Sequence, residues 1–277
     1  MSEIGWGSKE FAEAWKKRAE ERLRTMGAMT DRMLAEAGVV PGARVLDLGT
    51  GTGDTALLAA ARVGPGGSVL ATDASPSMVE VARDAVKSAG ASNVEVRRMD
   101  ASALDVEAGS FDAAIARQVL MFVDRARTLT GIVRALREGG RFAATVWGSL
   151  LENPYHRVTI EAARARGGWS EPPPEVVRAF SVVEPEVEWP RRFQEAGLRN
   201  VAVHVVVGER RFPSVEAAVA AMRESPIHRE PVERLPAAVR EEAWEEIAAE
   251  CRGWAEGEGG TGECVMGTQH LVVSGRK

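Results

Sequence analysis

Between residues 43 and 148 short apolar, β-branched runs alternate with stretches of helical composition, and this alternation restricts the chain more than any other feature. Parallel βαβ units produce that rhythm, because two parallel strands need a crossover long enough to hold a helix. The strand candidates are ARVLDLG (43–49), SVLATD (68–73), NVEVRRMD (93–100), FDAAIAR (111–117) and GRFAATVW (140–147), with helices expected over 54–62, 76–89 and 125–137. Two of these strands end in aspartate, Asp73 and Asp100. Both acids fall at the carboxyl edge of the sheet, where open α/β folds bind ligands.

The flanks follow other rules. Periodicity predicts a helical segment over roughly 8–37, whereas 149–187 is proline-rich (NPYH, SEPPPEVV) and reads as a loop or small cap outside the sheet. PRRFQEAG then suggests a short helix, LRNVAVHVVV alternates as a strand, 214–255 is mostly helical and TQHLVVSGR closes as a strand. Two successive strands separated by a helical arm predict an antiparallel pair at one sheet edge. The expected division is 1–40 (N-terminal helical segment over the site), 41–148 (core), 149–207 (cap segment and return to the sheet), 208–267 (inserted helical lid) and 268–277 (last strand). With 277 residues, 45% of them hydrophobic, the chain can bury a substantial core.

Composition narrows the partners. A formal net charge of -5 disfavours nucleic acid and anionic membrane surfaces. Neither an apolar leader nor a run long enough to cross a membrane is visible, so a cytoplasmic protein is expected. Cys251 and Cys264 are too widely spaced for a redox pair or a zinc knuckle, and no metal site is predicted.

The turn after the first strand, VLDLGTGTGDTA, carries Gly49, Gly51 and Gly53, with Asp73 about twenty residues beyond, which approximates a dinucleotide fingerprint. Asp47, two residues before the first glycine, argues against that ligand, because its carboxylate would oppose an anionic pyrophosphate. S-adenosylmethionine (SAM) carries a sulfonium and an ammonium against one carboxylate. Its net positive charge suits an acid near the loop, while glycine amides suit its carboxylate.

The successive segments DLGTGTG, ATDASPSMVEVAR, RRMDASAL and LREGGRFAATVW resemble the ordered motifs of class I SAM-dependent methyltransferases. ARQVLMFVDRARTL is similar to the subgroup of the ubiquinone and menaquinone C-methyltransferases. The resemblance implies a Rossmann-like α/β fold: a seven-stranded, mostly parallel sheet with one antiparallel strand, helices on both faces and an inserted helical cap. It further implies that Asp73 holds the ribose hydroxyls, that Asp100 accepts from the adenine amino group with Ala101 supplying an amide, and that Met78 packs on the adenine. Thr50 in the loop, Ala74 beside Asp73, and Arg117 complete the implied cofactor set, and Trp6 and Trp15 are candidates for a covering helix.

On the acceptor side the resemblance sets Gln118 at the border of both ligands, and Met121, Phe122, Trp147 and Met222 are candidate pocket walls. Displacement at a sulfonium needs alignment and dryness more than a nucleophilic side chain. Where the acceptor is a phenol or a carbon acid a base helps, and His156 beside Tyr155 in ENPYHR is the candidate; His204, within a strand, is a weaker one. The NPY tripeptide follows the fifth strand, unlike the motif of nucleobase amino-methyltransferases, which follows the fourth. The expected activity is methyl transfer to a carbon or oxygen of a small molecule, quinone, polyketide or similar, by a monomer or homodimer. An NAD-dependent oxidoreductase and a non-catalytic SAM-binding protein are the alternatives.

Overall fold

A computed structural model describes residues 8–17, 19–168, 175–257 and 262–277. Seven strands, β1 (Arg44–Leu48), β2 (Ser68–Asp73), β3 (Val94–Arg98), β4 (Phe111–Arg117), β5 (Leu136–Trp147), β6 (Arg199–Phe212) and β7 (Cys264–Arg276), form one sheet in the order β3-β2-β1-β4-β5-β7-β6. The first five are parallel, and β7 runs antiparallel to both β5 and β6. The chain order reverses between β1 and β4, so the carboxyl ends of these two strands flank the crevice in which such sheets hold ligands.

Alternation along the central strands builds two cores. Leu46, Leu48, Ala114, Ala116, Phe142 and Ala144 face one side, while Val45, Ala113, Ile115 and Ala143 face the other, as a two-residue period requires. On the first side lie α5 (Arg125–Ala135) and α8 (Pro185–Glu195), whose Phe193 stacks on Phe142 with ring centroids 5.1 Å apart. The second side is covered by α2 (Ala19–Glu36), through Met29, Met33 and Leu34, and by α3 (Asp54–Val63). Next to them α4 (Pro76–Ser88) starts on the Ser75 hydroxyl, which accepts from the Met78 amide at 3.3 Å. The short α1 (Lys9–Lys17) precedes α2.

A third core lies beyond the sheet. Tyr155, Val158 and Ala162 of α6 (Pro154–Ala165) pack with residues of α9 (Val215–Glu224), α10 (Pro226–Glu233) and α11 (Arg240–Cys251) and with the ends of β6 and β7. The expectation of irregular chain over 149–187 is corrected here, because 154–165 is helical, as are α7 (Glu175–Ala179) and the start of α8. Pro154 and Pro185 stand at the first helical position, where the missing N–H is not needed and φ is already set. They open helices that proline content had suggested were absent. Strands β6 and β7 are also longer than the alternation predicted. Past the last pairing of β7 with β5, residues 207–212 and 264–269 continue as a two-stranded ribbon.

Candidate functional site

At the carboxyl edge of β1, β2 and β4 lies a cavity of about 310 Å³ lined by Gly49, Thr50, Gly51, Asp73, Ala74, Met78, Asp100, Ala101, Arg117, Gln118 and Trp147 among others. A wider recess at the opposite edge, lined by Arg44, Ser68, Glu95 and Ser110, sits at the amino ends of the strands, where no crossover turn presents its amides.

The loop after β1 makes the floor of the carboxyl-edge cavity. Gly49, Gly51 and Gly53 have φ of 60°, 57° and 87°, a region that a Cβ disfavours. Each glycine answers a different neighbour. A side chain at Gly49 would meet Val119 Cγ2 at 2.5 Å and one at Gly53 would press on Ala82 of α4 at 3.3 Å, whereas at Gly51 the nearest atom is Trp15 Nε1 at 3.7 Å. Gly51 is therefore the glycine that opens the backbone to a ligand, and Gly53 lets α3 and α4 approach.

Carboxylates surround this loop. Asp73 accepts from the Gly51 amide through Oδ2 and from the Ser75 amide through Oδ1, both at 2.9 Å. Burial raises its pKa above the usual range, and those amides oppose the rise. Asp47 is fully buried beneath the loop, where its Oδ2 accepts from the Thr50 hydroxyl at 2.7 Å and its Oδ1 has no partner. Desolvation pushes Asp47 up to about 7 despite that hydroxyl. Asp100 is exposed and caps the turn that follows it, accepting from the Ser102 amide at 2.8 Å. Arg117 is ion-paired with Asp54 at the start of α3, which ties β4 to the glycine loop.

Gln118 follows β4 at φ 60°, unusual for a residue with a side chain. Its amide donates to the Thr145 carbonyl at 3.0 Å, its Nε2 meets His270 Nδ1 at 3.1 Å, and its Oε1 is buried without a partner. The far wall is aromatic. Trp147 stacks on Phe180 and against His156, with centroids 4.4 Å apart in each pair, and meets Phe122 edge-on at 5.8 Å. His156 opens α6, and its Nδ1 lies 3.0 Å from His228 Nε2, whose Nδ1 is 2.8 Å from the Ser225 hydroxyl. Burial holds His156 well below the ordinary imidazole value, helped by the nearby Arg210 charge, and holds His270 at about 4.

The predicted residues thus divide. Those from Gly49 to Trp147 given above line the cavity, whereas Asp47 lies beneath it, Gly53 packs two helices, and Met121 and Met222 are core residues. Tyr155 is buried against Phe212 and His228, and His156 stands behind Trp147. Trp15 lines the cavity, Trp6 lies outside the described residues, and His204 binds Arg32 and Glu36 of α2. Ser75, Met99, Val119, Val123 and Ile227 line the cavity without having been predicted. Ser75 was legible as the cap before Pro76; the others carry no local signal. Among the described residues no cluster of three metal-ligating side chains occurs, and no helix is long and apolar enough to cross a membrane.

The residues present fit SAM: an open glycine, strand-end acids at the cavity, and an unpartnered Asp47 oxygen beneath a loop suited to a cationic ligand. Known proteins agree. Residues 45–140 match the family described as "Methyltransferase domain". The chain is 39% identical over 110 residues to arsenite methyltransferase of Halobacterium salinarum, covering 39% of this chain and 28% of that one. It is 36% identical over 121 residues to demethylmenaquinone methyltransferase of Lactococcus lactis, 43% and 45% covered. The fold is shared with a SAM-dependent methyltransferase of Aquifex aeolicus at TM-score 0.53 and 24% identity, over 72% of this chain and 92% of that one. The chain thus spans less than half the length of these two curated relatives, and the match falls on the strands and loops that form the cavity floor. Over residues 45–140 the chain is thus similar to a methyltransferase domain.

Proposed function

We propose that the chain transfers the methyl group of SAM to a carbon or oxygen of a small-molecule acceptor, quinone-like or natural-product-like, in the cytoplasm as a monomer or homodimer. The observation that carries this reading is one cavity with two unlike walls: glycine amides and strand-end carboxylates on one side, and Trp147, Phe122 and Gln118 on the other. The first wall suits a zwitterionic nucleoside and the second a flat apolar acceptor. Domain matches to curated methyltransferases favour methyl transfer over hydride transfer.

Bound SAM supplies an electrophilic methyl on a sulfonium. The chain's task is then to align and to exclude water. In this reading Asp73 and Asp100 hold the nucleoside, and Gly51 admits the amino-acid portion. Trp147, braced by Phe180 and His156, sets the plane of the acceptor. His156 is held neutral by burial, and its ring is fixed by the contact of Nδ1 with His228 Nε2 at 3.0 Å. Its stacking behind Trp147 makes it also a positioning residue for that ring.

The test is formation of S-adenosylhomocysteine (SAH) from SAM over a panel of quinols, phenols and carbon acids. Turnover with wild type and its reduction by about tenfold or more in His156→Gln, with SAH affinity unchanged, is the expected result. Calorimetry that finds NADH bound more tightly than SAM would end this reading.

A further inference from the structure

A second recess, of about 560 Å³, lies between α2 and the β6–β7 ribbon, bounded by Met29, Val207, Arg210, Thr268 and His270. It shares a wall with the cofactor cavity. His270 bonds Gln118, which lines that cavity, and Met29 Sδ lies 4.0 Å from the same Gln118 Nε2.

Arg210 is the odd group in this recess. Its guanidinium lies 4.4 Å above the Tyr155 ring, and among the described residues no carboxylate or carbonyl accepts from it. Its neighbour Arg211 shows the alternative, since Glu209 and Glu263 pair with it at 2.7 and 2.8 Å. The acid nearest in sequence to Arg210 is therefore already engaged. The other polar neighbours, His156 and His270, are held neutral by burial and by the Arg210 charge, so they supply no anion. A half-buried cation whose N–H donors meet no protein acceptor keeps that fork open to solvent or to an incoming anion, and in a chain of net charge -5 its isolation from carboxylates is a local choice.

We propose that Arg210 anchors an oxyanion of the methyl acceptor, a carboxylate or phosphoryl group, seated in this recess while the reacting end of the acceptor passes the Gln118–His270 wall into the cofactor cavity. The placement of the acceptor rests on the methyltransferase reading; the anion site itself does not. A planar guanidinium pre-set over an aromatic ring presents its fork to an oxyanion bidentately. Gln118 Oε1, buried without a partner in the wall between recess and cavity, is an acceptor for a hydroxyl of the same molecule once that wall opens.

Calorimetric titration of the SAH-loaded full chain with benzoate, phenyl phosphate and neutral benzamide tests this. The anions are expected to bind at least about tenfold more tightly than benzamide, and whichever binds better identifies carboxylate or phosphoryl as the natural group. Arg210→Gln should weaken the preferred anion about tenfold or more and leave SAH affinity unchanged, while Arg210→Lys should recover part of the loss. Equal anion affinity in wild type and Arg210→Gln, benzamide binding as tight as the anions, or no anion binding by wild type would each overturn the proposal. If SAH does not bind wild type, the methyltransferase reading fails, and the same comparison on the unloaded chain still decides the anion site.

Discussion

The wall of the cavity proposed to hold the cofactor and the wall proposed to hold the acceptor are built by different means. Residues 45–101 contribute mainly backbone and strand ends: glycine amides, an aspartate held by two amides, a helix cap. Their geometry is inherited from the parallel sheet. The opposite wall is made of side chains, Trp147 from β5 and Phe122 after β4, with Phe180 after α7, His156 of α6 and His228 of α10 behind them. A surface assembled from separate elements varies with each substitution, whereas one made of backbone keeps its shape. One half of the site is thus suited to an invariant ligand and the other to a changing one.

The sharpest way to break this comparison is Gly51→Val. A branched side chain at φ 57° would stand where the loop opens, and SAH affinity should fall on the order of a thousandfold, about 4 kcal/mol, in calorimetry. Retained affinity in a folded variant would show that the loop does not touch the ligand. Next in size is Met222→Ala, in the separate core of the cover. It should destabilise the cover by about 2–4 kcal/mol, read by hydrogen exchange in 154–165 and 215–251, with SAH affinity within about threefold of wild type. A parallel collapse of SAH binding would mean that the two halves are one cooperative unit.

The third effect is a pH dependence on the acceptor side. Burial lowers His270 to about 4 from an ordinary 6.5, so between those values the folded chain binds fewer protons than the unfolded one. Stability from this source is full above pH 6.5 and declines by about 3 kcal/mol as pH falls toward 4. Asp47 works oppositely: raised from 3.8 to about 7, it favours the fold in acid and loses that contribution as pH rises through that range. His270→Gln should therefore reduce the stability lost between pH 7.5 and 5 in urea titrations, and an unchanged difference would show that His270 titrates normally.

The smallest effect belongs to Asp73→Asn. Its Oδ1 and Oδ2 each accept from an amide, and an amide side chain can replace only one of these acceptors. SAH binding should weaken by about 1–3 kcal/mol. An unaltered affinity would show that the acid serves the loop alone.

The same contrast decides what could be read from the sequence. Strands β1, β2 and β4 announced themselves because a buried parallel strand is a short apolar run, and the Gly49–Gly53 turn because its chemistry is local. Helix α6 was hidden by Pro154, which signals a break in composition and a start in geometry. The His156–His228 and Gln118–His270 contacts join residues 72 and 152 positions apart, and no local pattern encodes them. They follow from the register of β7 against β5, which sets His270 opposite Trp147, and from the docking of α6 on α10.

The ribbon at the end of β6 and β7 has a mechanical meaning. Helices α9 to α11 leave the ribbon at Phe212 and return at Cys264, residues that are register partners, so the whole insertion hangs from one end of a two-stranded beam. Six residues of β7, 264–269, project past its last pairing with β5, a length of about 20 Å at the usual strand rise. For such a cantilever a flexure of roughly 10° at the root, where His270 sits, carries the tip about 3.5 Å, approximately one strand residue. A bond made or broken at His270 thus acts on the arm at its root, and α6, packed against the insertion, is the second element that such a flexure must move.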